Sequence, residues 1–416
     1  MRILILSQYY YPEGVPKPHE LAEELSARGH EVSVITGFPH YPGGKLAKEY
    51  RLRPFLRETI RRIPVLRLFE IPPYDSTNPY LRIANYLSFL ISAPFGAFLT
   101  PPCDVIYVWH PPQTIGVAAW LVGKIKRAPF VYDVQDIWGH FTVLSGMVRE
   151  GGTAIKIIRW LEKFVARRAA HLIVQTTAGS QYFVERGVQP EKISILPHWI
   201  DEESFADDKR ALIERARLRA QYDWQNKFIV LFAGNLGIVQ GLGAVVEAAN
   251  HFANGNAKIV FVGEGTDKPR LEKMVSDLSV SDRVQFVERQ PAERMPAFMA
   301  AADALLVCLK KSELTKYVVP SKTVAYLASG KPILIASGGA SEDLIRAARA
   351  GIVAEPENPL ELAQAIEQMK LLTEAERATL GANGRQYLLE NLSKQKVITD
   401  HENLLERVAN DYRKKI

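Results

Sequence analysis

The stretch Phe228–Gly243, FIVLFAGNLGIVQGLG, decides the fold. Its apolar run from Phe228 to Phe232 reads as a buried strand. The run stops at Gly234, crosses a short glycine-bearing loop and re-emerges at Gly241 as a helix beginning LGAVVEAAN. A protein that must hold a phosphate needs this layout. Glycines let backbone N–H groups approach the anion, and the helix N-terminus adds partial positive charge. One such turn is common to any α/β protein. Here it lies past the middle of a 416-residue chain, and a full strand–helix alternation precedes it. That order predicts an α/β protein with two Rossmann-like, doubly wound domains facing each other across a ligand cleft.

Outward from this stretch, the first half predicts strands at Arg2–Ser7, His30–Thr36, Val105–Trp109, Phe130–Val134, Leu172–Gln175 and Ile193–Leu196. Helices are predicted at His19–Arg28, closed by Gly29, and at Ala154–Ala169, with basic residues on its outer side. The second half repeats the plan, with strands at Phe228–Phe232, Lys258–Val262, Val284–Val287, Ala304–Cys308, Ile333–Ala336 and Ile352–Ala354. After helices at Leu360–Leu371 and Glu374–Leu392, a final helix from Lys394 has no strand to serve, which suits a return to the first domain. The charged stretch Glu202–Lys227 is the expected connection. The domains are therefore placed at 1–203 and 204–393, with 394–416 as a crossing helix.

Apolar content of 47% and charged content of 24% are those of an ordinary globular protein. Cys103 and Cys308 lie far apart and show neither metal spacing nor a disulfide framework. The start, MRILILSQYYYP, reads as a strand and not as a signal peptide, and no stretch reaches the roughly 18 apolar residues of a membrane span. A cytoplasmic protein is expected.

The net charge of +6 is unevenly spread. Between Lys45 and Arg67 eight basic residues (Lys45, Lys48, Arg51, Arg53, Arg57, Arg61, Arg62, Arg67) face only Glu49 and Glu58, and the apolar run Tyr80–Leu99 follows. Anionic headgroups attract the first feature and an acyl boundary suits the second. Peripheral contact with the inner face of the cytoplasmic membrane is therefore expected, against the alternative of a solvated basic face followed by a buried helix. No nucleic-acid reading motif accompanies the basic run, so nucleic acid is not an expected partner.

In open α/β sheets ligands bind at the carboxyl ends of strands, which directs attention to the loops that follow them. The phrases RGHEVSVITG, ISILPHWID, FAGNLGIVQGL, VFVGEGTDKPRL and VPSKTVAYLASGKPIL occupy such positions. In their order and spacing, from about residue 1 to 390, they resemble the retaining, two-domain GT-B glycosyltransferases of the family 4 type. FPHYPGG (from Phe38), the Asp-x-x-Asp-x-Trp phrase at Asp133–Trp138, the glutamine of GNLGIVQGL and Pro-Ser-Lys are most similar to bacterial envelope polysaccharide and O-antigen transferases. Those include N-acetyl-L-fucosamine transferases.

The resemblance implies a nucleoside-diphosphate sugar held by the C-terminal domain and a lipid-linked saccharide acceptor held by the N-terminal one. UDP-linked N-acetylated hexosamine or 6-deoxyhexosamine is the preferred donor class, and GDP-sugars remain open. Gly234, Asn235, Gly237 and Gly241 would surround the diphosphate, with Gln240 hydrogen-bonding it. Relatives carry Arg near Asn235 and Lys near Gln240. The missing cation falls to Lys322, behind Ser321 at a helix start. An exposed first-turn lysine is the structural alternative. Glu264 and Arg289 would border the nucleotide, and Gly14 and His110 lie in the first domain's loops.

One departure stands out: Ala325 occupies the place of the glutamate that grips the nucleotide ribose. Aligning the family's VxTxHD phrase with Val131–Asp136 puts Gln135 at the usual histidine. Asp136 is then the leading candidate to accept the acceptor's hydroxyl proton and Asp133 the second, with helix capping as the alternative for Asp136. No cofactor is expected and no metal site, since Asp207-Asp208 has no strand before it. Leaving-group charge must then be met by helix N-termini and Lys322. The rival reading is a non-catalytic GT-B subunit that binds a nucleotide sugar or a partner transferase. An epimerase or phosphorylase of this architecture lacks its expected acid/base or pyridoxal-phosphate context.

Overall fold

The computed structural model describes the chain except residues 41–43, 47, 51–52, 75–77, 145, 206–208, 253–255 and 415–416. Part of the FPHYPGG phrase, Arg51, and the Asp207-Asp208 pair lie outside the described residues. Two compact units result: Met1–Leu196 with Ile398–Ile416, and Pro197–Val397.

The first unit is built on an eight-stranded sheet of order β3-β4-β2-β1-β5-β6-β7-β8. Its strands are β1 (Arg2–Ser7), β2 (Glu31–Gly37), β3 (Phe55–Ile60), β4 (Ile63–Leu68), β5 (Val105–Trp109), β6 (Phe130–Asp133), β7 (His171–Val174) and β8 (Ile193–Ile195). Neighbours pair in parallel except β3 with β4. Central strands such as β5, VIYVW, are buried along their whole length, which is why they read as continuous apolar runs. Helices α1 (Lys17–Ala27), α2 (Pro79–Leu99), α3 (Thr114–Lys126), α4 (Trp138–Leu144) and α5 (Thr153–Arg168) complete the part of the unit that matters below.

The β3–β4 hairpin corrects the reading of Lys45–Arg67 as a plain basic face. Its two turn residues, Arg61 and Arg62, have φ of 45° and 73°. Hairpin turns of that hand usually carry Asn-Gly, so the sequence showed no turn signal. Arg67 is fully buried: its guanidinium pairs with Glu58 and donates to Tyr11 O (2.5 Å) and Gly37 O (3.1 Å). It is unavailable to any lipid. Arg67→Met is expected to lower unfolding stability by about 2–3 kcal/mol, because it orphans buried acceptors while Glu58 keeps some contact with water. A denaturant melt checks this, and an unchanged midpoint would rule out Arg67 as the clasp of β4.

The second unit carries a parallel six-stranded sheet of order β11-β10-β9-β12-β13-β14. Its strands are β9 (Phe228–Ala233), β10 (Ala257–Val262), β11 (Val284–Val287), β12 (Ala304–Cys308), β13 (Ile333–Ala336) and β14 (Gly351–Val353). The charged stretch expected as a connection is instead part of this unit. It forms the helix Lys209–Gln221, which packs on Met295–Ala301. Arg219 fastens it through Ala301 O, Trp224 O, Lys227 O and Asp303, and Trp224 is wholly buried. In both sheets the chain leaves the centre one way and then returns to build the other side. The crossover points lie between β1 and β5 and between β9 and β12. Ligands of open α/β sheets bind at the carboxyl ends there.

Candidate active site

In the second unit the carboxyl ends of β9, β10 and β11 lie side by side, with Ala233 opposite Val262 and Val262 opposite Val287. The loops that follow are zipped together: Leu236 N–H donates to Glu264 O and Asp267 N–H to Leu236 O, both at 2.9 Å. This close approach requires glycine at position 263, where φ is 150° and a Cβ would collide with Gly234 O. Gly241, at φ 66°, turns the chain into the helix Leu242–Ala249 and lies against Lys310. Gly234 and Asn235 are exposed and Gly237 is buried, so the loop presents open backbone at its start.

Lys322 sits in the first turn of the helix Ser321–Ala328, which Tyr326 ties to β9 by accepting the Ala233 N–H at 2.8 Å. Its ammonium donates to Gln240 Oε1 at 2.5 Å and lies 3.8 Å from the centre of the Phe232 ring. Among the described residues no carboxylate pairs with it. Burial pulls its pKa down to about 7. A half-buried lysine thus lies beside the glycine loop with no carboxylate to balance it among the described residues. Ser321 is exposed at the same helix start, and Arg289 is exposed beyond β11.

In the first unit the loops after β1, β5 and β6 hold the remaining candidates. Asp133, the last residue of β6, is buried and accepts hydrogen bonds from Tyr107 Oη and from Gln135 Nε2 (2.7 Å). His401 Nε2, from the C-terminal helix Lys394–Arg413, lies 3.9 Å away. Gln135 in turn accepts from Gln175. Asp136 differs. Its carboxylate has no hydrogen-bond or ion-pair partner among the described residues, and burial raises its pKa to about 6. The capping alternative is not realised: α4 starts at Trp138, and its first amide bonds run to Ile137 O. His110 follows β5, fully buried between the rings of Tyr132 and Trp138, and burial lowers its pKa to about 3, so the ring is neutral. Gly14 is exposed beyond β1.

Residues 16–199 match the family model for the glycosyl transferase 4-like domain, and residues 214–387 that for glycosyl transferases group 1. The chain belongs to the GT-B glycosyltransferases. Over 99% of its length this glycosyltransferase is 29% identical to the whole of WcaI, an Escherichia coli K12 protein whose name assigns it to colanic acid biosynthesis. It is 23% identical to the alpha-D-kanosaminyltransferase of Streptomyces kanamyceticus, over 84% of this chain and 88% of that one. Among solved structures, Anabaena HepE in complex with UDP superposes with a TM-score of 0.72 at 19% identity, covering 98% of this chain and 100% of that one. Sucrose-phosphate synthase from Thermosynechococcus elongatus superposes with a TM-score of 0.76 at 18% identity, covering 98% of each chain. These structural likenesses show the fold.

Several sequence expectations for this glycosyltransferase need refinement. Asp133 is occupied by Tyr107 and Gln135, which leaves Asp136 as the carboxylate of the two without a partner among the described residues. Glu264, expected to border the nucleotide, is paired with Lys268 at 2.7 Å. Ala325 is half-buried in the helix Ser321–Ala328, packed against the core. Lys310 was not singled out. It is half-buried, lies two residues past the end of β12, and its side chain borders Gly241, so attention to loops at strand ends was the available signal.

A buried polar cluster was also missed. Glu70 accepts from Gln8 (2.7 Å) and Asn85 (3.1 Å) and lies 3.2 Å from His40. Burial works against a charged His40 ring, yet Glu70 outweighs it and raises the pKa to about 9. Glu13 clamps the backbone N–H groups of Tyr10 and His40 at 3.0 Å each. The histidine of FPHYPGG was the available signal.

Proposed function

We propose that this glycosyltransferase moves a sugar from a nucleoside diphosphate, UDP by preference, to a lipid-linked saccharide of a bacterial surface polysaccharide. Retention at the anomeric carbon is part of the proposal. The observation that carries it is Lys322, an acid-free cation lodged against Gln240 and the glycine loop of β9. Backbone N–H groups of that loop and the helix start at Ser321 add fixed positive potential for a departing diphosphate, and Lys310 supplies a second cation. On the acceptor side Asp136 takes the proton of the attacking hydroxyl, while neutral His110 offers hydrogen bonds without repelling oxocarbenium-like charge. The HepE structures with UDP and with UDP-glucose, and the name of the E. coli relative, support the donor and pathway class.

Two measurements test this reading. A thermal-shift panel of nucleotides and nucleotide sugars is expected to single out UDP or one UDP-sugar. Slow hydrolysis of that labelled donor should follow, unchanged by EDTA because the leaving-group charge is met by Lys322 and Lys310. Silence of every nucleotide in both assays would sink the proposal, and a preference for GDP would redirect the donor class.

A further inference from the structure

On α2, every exposed residue whose side chain is described is apolar. Tyr80, Ile83, Leu87, Ile91, Phe95 and Phe98 recur at steps of three or four and form one stripe along the helix. Ile91 and Phe95 are each 65% exposed and Phe98 is 73% exposed, so these are open side chains and not edges of the core. A helix on a solvated surface carries charge on that side. α2 has no acidic residue and a single basic one, Arg82. Its other side is committed to the fold: Phe89, Ala93 and Ala97 are buried, and Asn85 bonds Glu70 and Ile71 O. With that side packed on the protein, the helix can meet a surface only along its outer stripe. No helix among the described residues is long and apolar enough to cross a membrane.

The neighbours of α2 add charge. α3 packs beside α2, and α5 beside α3. The exposed face of α5 mixes Ile157 and Trp160, the latter 61% exposed, with Lys156, Lys163, Arg167 and Arg168. α3 ends in exposed Lys124 and Arg127. Lys126 donates to Thr100 O (2.6 Å) and Pro101 O (2.8 Å), and Arg57 to Leu99 O (2.9 Å), placing two more cations at the end of the stripe. Glu150, before α5, is paired with Arg159.

We propose that α2 lies in the plane of an anionic phospholipid bilayer, its stripe at the acyl boundary and the cations of α3 and α5 among the headgroups. Amphipathic aromatic rings such as Trp160 settle at that depth, and lysines and arginines gain from anionic lipid. A second copy of the chain fits less well, because a two-fold contact through this face would oppose the same cations to one another. Of the Lys45–Arg67 run the assignment draws on Arg57 at the end of the stripe, since Arg67 is buried and Arg61 is paired with Glu23. It deepens the lipid-linked acceptor reading and rests on it for purpose.

Co-sedimentation with phosphatidylglycerol-containing and pure phosphatidylcholine vesicles across a salt series tests the inference without any turnover. The wild type is expected to bind the anionic vesicles, less so as salt rises. Leu87/Ile91/Phe95→Ser should lower partitioning by about tenfold or more even at low salt. Lys163/Arg167/Arg168→Gln should remove the preference for anionic lipid, and Arg61/Arg62→Ser should change little. Retention of the wild-type UDP-induced melting shift shows that each variant is folded. Absence of vesicle binding by the wild type overturns the inference while leaving donor hydrolysis to judge the transferase reading separately. A wild-type dimer in sedimentation velocity that the α2 serine variant converts to monomer overturns it in favour of a second copy.

Discussion

Lys322→Ala is expected to cut kcat/KM at subsaturating donor by more than about tenfold, since a charge-assisted contact to a phosphate contributes about 2–3 kcal/mol. A second consequence separates this role from a structural one. Free lysine holds its proton up to about 10.5, whereas burial lets Lys322 lose it near 7. Between those values the unfolded chain binds more protons than the folded one, so folding stability rises with pH across the window. The cost of burying the charge is fully present below about pH 7 and gone above the unfolded value. Lys322→Met should therefore stabilise the unliganded protein near pH 6, by on the order of a few kcal/mol at most, while abolishing the UDP-induced melting shift. Nucleotide binding above pH 7 should also take up a proton, visible as a buffer dependence of the binding enthalpy. A Lys322→Met protein that melts lower and still binds UDP would remove Lys322 from the donor site.

Asp136→Asn carries the largest expected loss, about two orders of magnitude or more in turnover with nucleotide affinity nearly unchanged, as removal of a general base produces. Its pKa of about 6 lies above the usual carboxylate range because the half-buried group is desolvated, with no partner among the described residues. Here the folded state binds more protons than the unfolded one, so the ionised carboxylate costs stability as pH rises through that window. Asp136→Asn should then melt no lower than wild type at neutral pH, whereas loss of a helix cap would cost about 1 kcal/mol. The two groups together predict a narrow, bell-shaped kcat/KM profile for the free enzyme, with an acid limb near 6 from Asp136 and an alkaline limb near 7 from Lys322. Each substitution should erase its own limb. A profile flat from pH 5.5 to 8 (roughly the span of both limbs) would reject both assignments.

Much of the architecture was legible because parallel strands are buried on both faces. FIVLFA, VIYVW and ILIA announce themselves as apolar runs, and glycines mark where the backbone must turn. The β3–β4 hairpin was not legible. Its turn uses two arginines in a left-handed conformation, and its strands carry charges whose partners lie elsewhere in the chain. A window of local sequence contains neither Tyr11 O nor Gly37 O, so Arg67 read as surface.

The candidate site divides the same way. Sequence alone showed that a glycine-bearing loop follows β9, that a lysine opens the helix after Pro320, and that Asp133, Gln135 and Asp136 lie together at the end of β6, because strand ends and helix starts are local properties. Only the tertiary structure decided what each side chain meets. It brought Lys322 to Gln240 and, among the described residues, set no carboxylate against it. It tied Asp133 to Tyr107 and near His401 from the far end of the chain, leaving Asp136 unpaired. It also turned the apolar stripe of α2 outward, which hydrophobicity by itself would have placed inside. Local spacing specifies where a group sits on its element, but charge state and exposure depend on neighbours that folding brings from distant positions.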